Sequence, residues 1–157
     1  MNIYQEHEFV DLGLPSGTLW ATCNVGANKP EDYGDYLSWD EGKTVDAKWG
    51  NGWQMPSKEQ WEELVQNTKT VWTTRNGVYG RLLTALNGNS LFLPAAGYRR
   101  GNLLIYAGSD GCYWSSSLYA GGPDFARYFY FRSGYTTADS SGSSRGIGRS
   151  VRAVREN

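Results

Sequence analysis

At 157 residues the chain is most simply one domain, spanning residues 1–157 and large enough for a real core. A net charge of −1, a pI near 5.8 and the lack of a long basic run exclude the electrostatic footprint of a nucleic-acid binder. The apolar runs are far too short for a membrane span, and two cysteines, Cys23 and Cys112, make neither a disulfide framework nor a metal signature. Aromatic residues at 15% and 20 glycines point to a loop-rich α+β fold stapled by buried Trp and Tyr rather than by long helices.

The N-terminus, from Met1 to Glu8, has no basic start and no apolar stretch, so no secretory signal is expected. Residues 9–12 and 18–22 read as strands flanking a turn at Leu14, Pro15, Ser16 and Gly17. Residues 27–52 are rich in Gly, Asp and Trp without periodicity, and are expected to form a long ordered loop anchored by Trp39, Trp49 and Trp53. Ser57 followed by Gln60 gives a capping-box pattern, and Trp61, Leu64 and Val65 then recur at the spacing of one buried helical face. That helix is expected to end near Asn67.

Beyond it, residues 70–74 end at Asn76-Gly77, a strong hairpin signal, and residues 79–85 pair back. Asn87, Gly88 and Asn89 turn the chain again into residues 90–93. In the tail, residues 126–132 alternate, with Phe129 and Phe131 on one face and Tyr128, Tyr130 and Arg132 on the other. Residues 150–154 read as the last strand.

The tail has an odd composition. From Ser115 to Arg155 there is no Lys, Glu, Gln, Met or Trp, although residues 1–114 hold all seven Trp and both Met. A cation, an anion, an amide, a thioether and an indole share no packing or solvation preference. They do share a coding property: no codon ending in C encodes any of them, nor a stop. A segment randomised at the first two bases of AAC codons has this composition. The alternative is ordinary strand-and-turn usage, since Gly/Ser-rich segments are poor in Lys and Glu anyway.

Several motifs carry a family resemblance. GWQMPSKEQWEEL at residues 52–64 is similar to the GW–[LM]P[ST]–EW–L element of the bacterial major-paralogous-domain group. Further matches, in order, are DLGLPSGTLWA at 11–21, YGDY at 33–36, LPAAGYR at 93–99, YWSSS at 113–117 and SVRAVR at 150–155. Together they cover nearly the whole chain. That group is related to the formylglycine-generating-enzyme type of C-type lectin fold. Some of its members resemble variable proteins of diversity-generating retroelements, in which adenine mutagenesis turns AAC codons into NNC after the YWSSS motif.

The resemblance implies a C-type lectin-like fold of the formylglycine-generating-enzyme subtype. It implies a scaffold over residues 1–114, a variable ligand-binding region over 115–149 and a terminal scaffold strand over 150–155. The ligand-contacting positions expected are Tyr119, Gly121, Gly122, Asp124, Phe125, Tyr128, Tyr130, Arg132, Gly134, Tyr135, Thr137, Asp139 and Ser140. They are expected to gather on one side, away from His7 and the exposed face of the 57–67 helix. Tyr, Ser, Gly, Asp and Arg are also the residues of binding loops generally. The tail has no Asn before Asn157, which fits a diversified copy and an undiversified member equally.

The implied function is non-enzymatic binding of a protein or cell-surface ligand, on a phage particle or a bacterial surface, without cofactor. The alternatives are an undiversified adhesion module and, more distantly, a formylglycine-generating-like copper oxidase. Cys23 and Cys112 do not match the cysteine pair of those oxidases. His7, the only histidine, is read as a surface residue near a terminus, too isolated for triad or zinc chemistry. Asp32, Asp35, Asp40 and Glu41 are oxygen donors for calcium or, as favoured here, a solvated acidic loop, and no metal site is expected.

Overall fold

The computed structural model describes residues 2–118, 121–122 and 124–157, with the side chains of residues 141–143 left aside. Strands dominate. β1 (Ile3–Tyr4) and β2 (His7–Val10) form a small hairpin, and β3 (Leu19–Ala21) follows a turn in which the Gly17 N–H donates to the Leu14 carbonyl at 2.9 Å. All three residues of β3 are buried.

The stretch expected to be loop contains two one-turn helices, α1 (Trp39–Lys43) and α2 (Val45–Trp49). A single turn is too short to show a helical period, so it leaves no periodic trace. What starts α1 is a capping box: Ser38 accepts from the Glu41 N–H, and the Glu41 carboxylate accepts from the Ser38 N–H at 2.8 Å. Trp39, Trp49 and Trp53 are buried, as anchors should be. α3 (Lys58–Gln66) is the expected helix, with Ser57 and Gln60 closing its capping box and Trp61 and Leu64 fully buried.

β4 (Thr68–Arg75) and β5 (Val78–Ala85) pair across Asn76 and Gly77, whose φ values of 49° and 82° make the expected two-residue turn. β6 (Ser90–Pro94) completes a sheet of order β4-β5-β6. β7 (Tyr98–Arg100) and β8 (Leu103–Ile105) make a separate hairpin. β9 (Gly111–Leu118), β10 (Phe125–Arg132) and β11 (Tyr135–Ser144) form an antiparallel sheet of order β11-β10-β9. β12 (Val154–Arg155) pairs with β3, giving the order β1-β2-β3-β12.

The expected terminal strand over 150–155 is therefore regular only at its last two paired residues. Upstream of them the chain runs between two sheets and bonds to both. The Trp114 N–H donates to the Ser150 carbonyl, and the Val25 and Ala21 N–H groups donate to Val151 and Ala153. Sharing its bonds between two sides keeps it from forming one continuous ladder. Within it Arg152 is wholly buried, donating to Asn24 Oδ1 at 2.8 Å and to the Ala21 carbonyl at 3.3 Å.

Trp61 joins helix to sheets. Its ring lies parallel to Phe129 with centroids 4.4 Å apart, tilts against Trp20 at 4.7 Å, and its N–H donates to the Trp114 carbonyl at 3.3 Å. A second cluster, built on Trp39, Trp53, Met55, Trp114 and Val151, lies under Ala126 and Tyr128. β10 thus rests on both clusters, Phe129 and Phe131 on the first and Ala126 on the second.

Candidate ligand-binding face

β10 is two-sided. Ala126, Phe129 and Phe131 are buried, Tyr128 and Tyr130 are half-buried and Arg132 is exposed. From Tyr128 to Arg132 the burial follows the expected alternation, but Ala126, which shares the parity of the tyrosines, is buried in the second cluster, against which Tyr128 also packs, and the ladder is irregular between the two. The neighbouring strand extends the outer face, because residues directly opposite in an antiparallel pair point the same way. Tyr128 lies opposite Ser140, Tyr130 opposite Thr137 and Arg132 opposite Tyr135. The rings of Tyr128 and Tyr130 are 6.4 Å apart edge to face, and Tyr130 and Tyr135 are 6.0 Å apart.

A cavity of about 460 Å³ opens beside these tyrosines, walled by Tyr98, Tyr106, Asp110, Tyr128, Tyr130 and Arg149. The Tyr130 hydroxyl donates to Asp110 Oδ2 at 2.8 Å. Burial and then the adjoining Asp110 carboxylate raise the Tyr130 phenol well above its ordinary range. Arg149 lies at the base with its guanidinium 4.0 Å from the Tyr128 ring centre, and also over Tyr98 at 5.1 Å and Trp114 at 5.2 Å. Burial lowers its pKa from the usual guanidinium value. The Cys112 thiol, buried alongside, is pushed up to about 11 chiefly by burial, which leaves it inert as a nucleophile near neutrality.

The remaining expected positions fall at the two ends of the strand. Gly121, Gly122, Asp124 and Phe125 lie where the chain enters β10, and Arg132, Gly134 and Tyr135 where it leaves. Eight residues of strand put these ends roughly 23 Å apart. Every one of the described positions is exposed or half-buried. Tyr119 lies outside the described residues.

Asp139 departs from the single-face expectation. Its carboxylate pairs with Arg127 at 2.8 and 2.9 Å, and Lys58, the first residue of α3, approaches it at 4.0 Å. The reason is a bulge. Between the Tyr128–Ser140 and Tyr130–Thr137 pairs β11 has one more residue than β10, so Ala138 packs on the core and Asp139 leaves the alternation. The tail thus touches α3, which the one-sided arrangement had kept apart from it.

Half of the cavity wall comes from the stretch expected to be scaffold: Tyr98, Arg100, Tyr106, Asp110 and Cys112. A signal existed, because Gly101-Asn102 is a two-residue hairpin turn between Tyr98-Arg99-Arg100 and Leu103-Leu104-Ile105.

The other candidate groups have structural partners. His7 is half-buried rather than a surface residue: its ring stacks on Trp49 at 3.6 Å, and burial lowers its pKa. Both cysteines are free thiols. Glu41 caps α1, and Asp40 pairs with Arg145. Among the described residues no group of three or more His, Cys, Asp or Glu is set to hold a metal, and no helix is long and apolar enough to cross a membrane. Comparison of the chain with family models, curated proteins and solved structures gives no match.

Proposed function

We propose that this protein is a non-enzymatic ligand-binding domain of C-type lectin-like fold, and that the outer face of β10 and β11 with its flanking loops is a surface diversified by retroelement-driven adenine mutagenesis. One observation carries the reading. Within the stretch depleted of the five residue types, all described positions expected to vary are exposed or half-buried, while Ala126, Phe129 and Phe131 between them are buried.

The way the tail is held supports the same reading. The Trp39 indole donates to the Ser115 carbonyl at 2.8 Å, and the Ser116 N–H donates to the Pro56 carbonyl at 2.7 Å. Arg81 Nη2 donates to the carbonyls of Arg132 and Ser133 at 2.8 and 3.0 Å. Contacts made to main-chain atoms survive a change of side chain. A surface gripped this way tolerates many sequences without unfolding.

A second reading, an undiversified binding module of the same fold, is favoured by the contacts of Tyr130 with Asp110 and of Tyr128 with Arg149. Specific pairs of this kind suit residues that do not change. The natural gene separates the two. Diversification requires codons ending in C at the exposed tail positions and a reverse transcriptase gene beside an Asn-codon-rich near-repeat. Mixed third bases leave the undiversified module. Copper-dependent oxygen uptake would instead favour an oxidase.

A further inference from the structure

The cavity on the outer face has two halves of different origin. β10 contributes Tyr128 and Tyr130, whereas Tyr98, Arg100, Tyr106 and Asp110 come from the β7–β8 hairpin and the approach to β9. Its lining holds two guanidinium groups, Arg100 and Arg149, against one carboxylate, Asp110, which already accepts the Tyr130 hydroxyl. The balance is therefore positive, and Arg100 presents it to solvent.

The asymmetry reaches beyond the cavity. From Gly97 to Arg155 all cations are Arg and the only acids are Asp110, Asp124 and Asp139, although the whole chain carries −1. Asp139 is neutralised by Arg127, and Arg132 adds an exposed charge at the far end of the outer face. A face of this sign attracts acidic ligands.

Apolar groups surround the charge. Arg100 pairs with Leu103 across the hairpin, so Leu103 stands beside it on the same face, 67% exposed. Phe125 and Tyr135 are exposed at the two ends of β10. Tyr106 is exposed too, and it sits in left-handed backbone at φ 58°, where its carbonyl accepts from the Ser109 and Asp110 N–H groups. A bulky residue is strained there, and Asn or Gly would fit better. The fold carries that strain to hold an aromatic ring edge-on to Tyr98 at the cavity mouth.

We infer that Tyr98, Arg100, Leu103 and Tyr106 form a fixed anchor for a protein partner, taking an acidic side chain flanked by an aromatic or aliphatic one. This rests on the ligand-binding reading of the face. The carboxylate meets the Arg100 fork, and its apolar neighbour packs among Tyr98, Tyr106 and Leu103. A sugar would use the tyrosines but leave Leu103 in water. The length of the face, roughly 23 Å along β10, suits a protein footprint of roughly 800 Å². The anchor sets the ligand class, and the tail residues set which member of that class binds.

Panning a random-peptide phage library on the wild-type protein, Arg100→Glu and Tyr106→Asn tests this. Both substituted residues are exposed, and thermal melts check that the variants fold. The wild type should enrich peptides with Asp or Glu beside Phe, Tyr, Trp or Leu. A synthetic peptide of the enriched sequence should bind Arg100→Glu at least about tenfold more weakly, with affinity falling as salt rises. Arg100→Glu should itself enrich basic peptides. Tyr106→Asn should melt no lower than the wild type yet lose the apolar preference. The inference is overturned if the wild type enriches nothing, or neutral or basic peptides. It is also overturned if Arg100→Glu selects the same set, or if a uronic-acid oligosaccharide binds the same cavity in place of the peptides. A gene without C-ending codons would remove diversification and leave these outcomes unchanged. A failed panning would leave the codon test standing.

Discussion

The two faces of β10 carry nearly the same side chains in different circumstances. Phe129 and Phe131 are 1% and 0% exposed, while Tyr128 and Tyr130, one hydroxyl larger, look outward and are half-buried. The inner pair needs only apolar neighbours and finds Trp61, Tyr113 and Trp72. The outer pair brings polar ends that need partners, which Tyr130 finds at Asp110, while Arg149 packs on the Tyr128 ring. The tyrosine face is itself partly covered, because Tyr128 and Tyr130 lie opposite the buried Trp114 and Cys112 of β9 and Tyr128 packs on the second cluster, so display falls to Tyr130, Arg132 and the β11 residues beside them. That division between support and display can be broken or sharpened by measurement.

The largest effect belongs to the support. Trp61 and Trp114 are wholly buried, and each indole N–H donates to a carbonyl, Trp114 and Leu37 respectively. Trp61→Ala and Trp114→Ala should each lose about 3–5 kcal/mol in a urea melt. Tyr130→Ser should lose only about 1–2 kcal/mol, the worth of a partly buried ring and one hydrogen bond. A loss for Tyr130→Ser equal to that for Trp61→Ala would remove the distinction.

Next comes the grip on the hairpin tip. Arg81 is 9% exposed and donates twice to carbonyls at the β10–β11 turn. Arg81→Met should cost about 1–3 kcal/mol and speed amide hydrogen exchange at Gly134 and Tyr135. Unchanged exchange there would mean that the tip is held from elsewhere.

The support was largely legible from sequence, and the display only in part. Asn76-Gly77, the Ser57–Gln60 capping box and the Phe129/Phe131 alternation are local signals, and each appears where expected. α1 and α2 are one turn each and leave no period to read. β7, β8, β9 and β11 are not announced by the residue pattern: Tyr98, Arg99 and Arg100 have no apolar alternation, and β11 is almost wholly small and polar. Asp139 leaves the expected face because its orientation depends on a bulge, which residue types do not announce. The Tyr106–Asp110 side of the cavity is a tertiary product, since it reaches β10 through contacts distant in sequence such as Tyr130 with Asp110.

A smaller effect should appear in alkali. Tyr130 has its phenol raised by burial and by Asp110, and burial pushes Tyr36 up to about 12 from an ordinary 10.0. The folded state holds these protons more tightly than the unfolded chain does. Stability from them is complete below the unfolded value near 10 and is lost as pH rises through the raised folded values. Tyr130→Phe should therefore lose less stability than the wild type between about pH 9 and 11, since every other group is common to both. An identical decline would show that Tyr130 ionises as freely folded as unfolded.

The smallest effect is expected where the display is least supported, and glycine gives the cleanest comparison. Gly97 lies beside the β7–β8 hairpin at φ 67°, and a Cβ there would meet the Ile105 carbonyl oxygen at 2.2 Å. Gly134, at the tip of the outer face, has nothing within 4 Å of where a Cβ would stand, and its φ is outside the left-handed region. Neither backbone nor packing calls for glycine at Gly134, as expected of a position free to vary. Gly134→Ser and Arg132→Ser should each change stability by less than about 0.5 kcal/mol in denaturant melts. A loss above about 1 kcal/mol in either would show that the tip depends on its own side chains, and that the scaffold's hold on the main chain is not enough to let this surface vary.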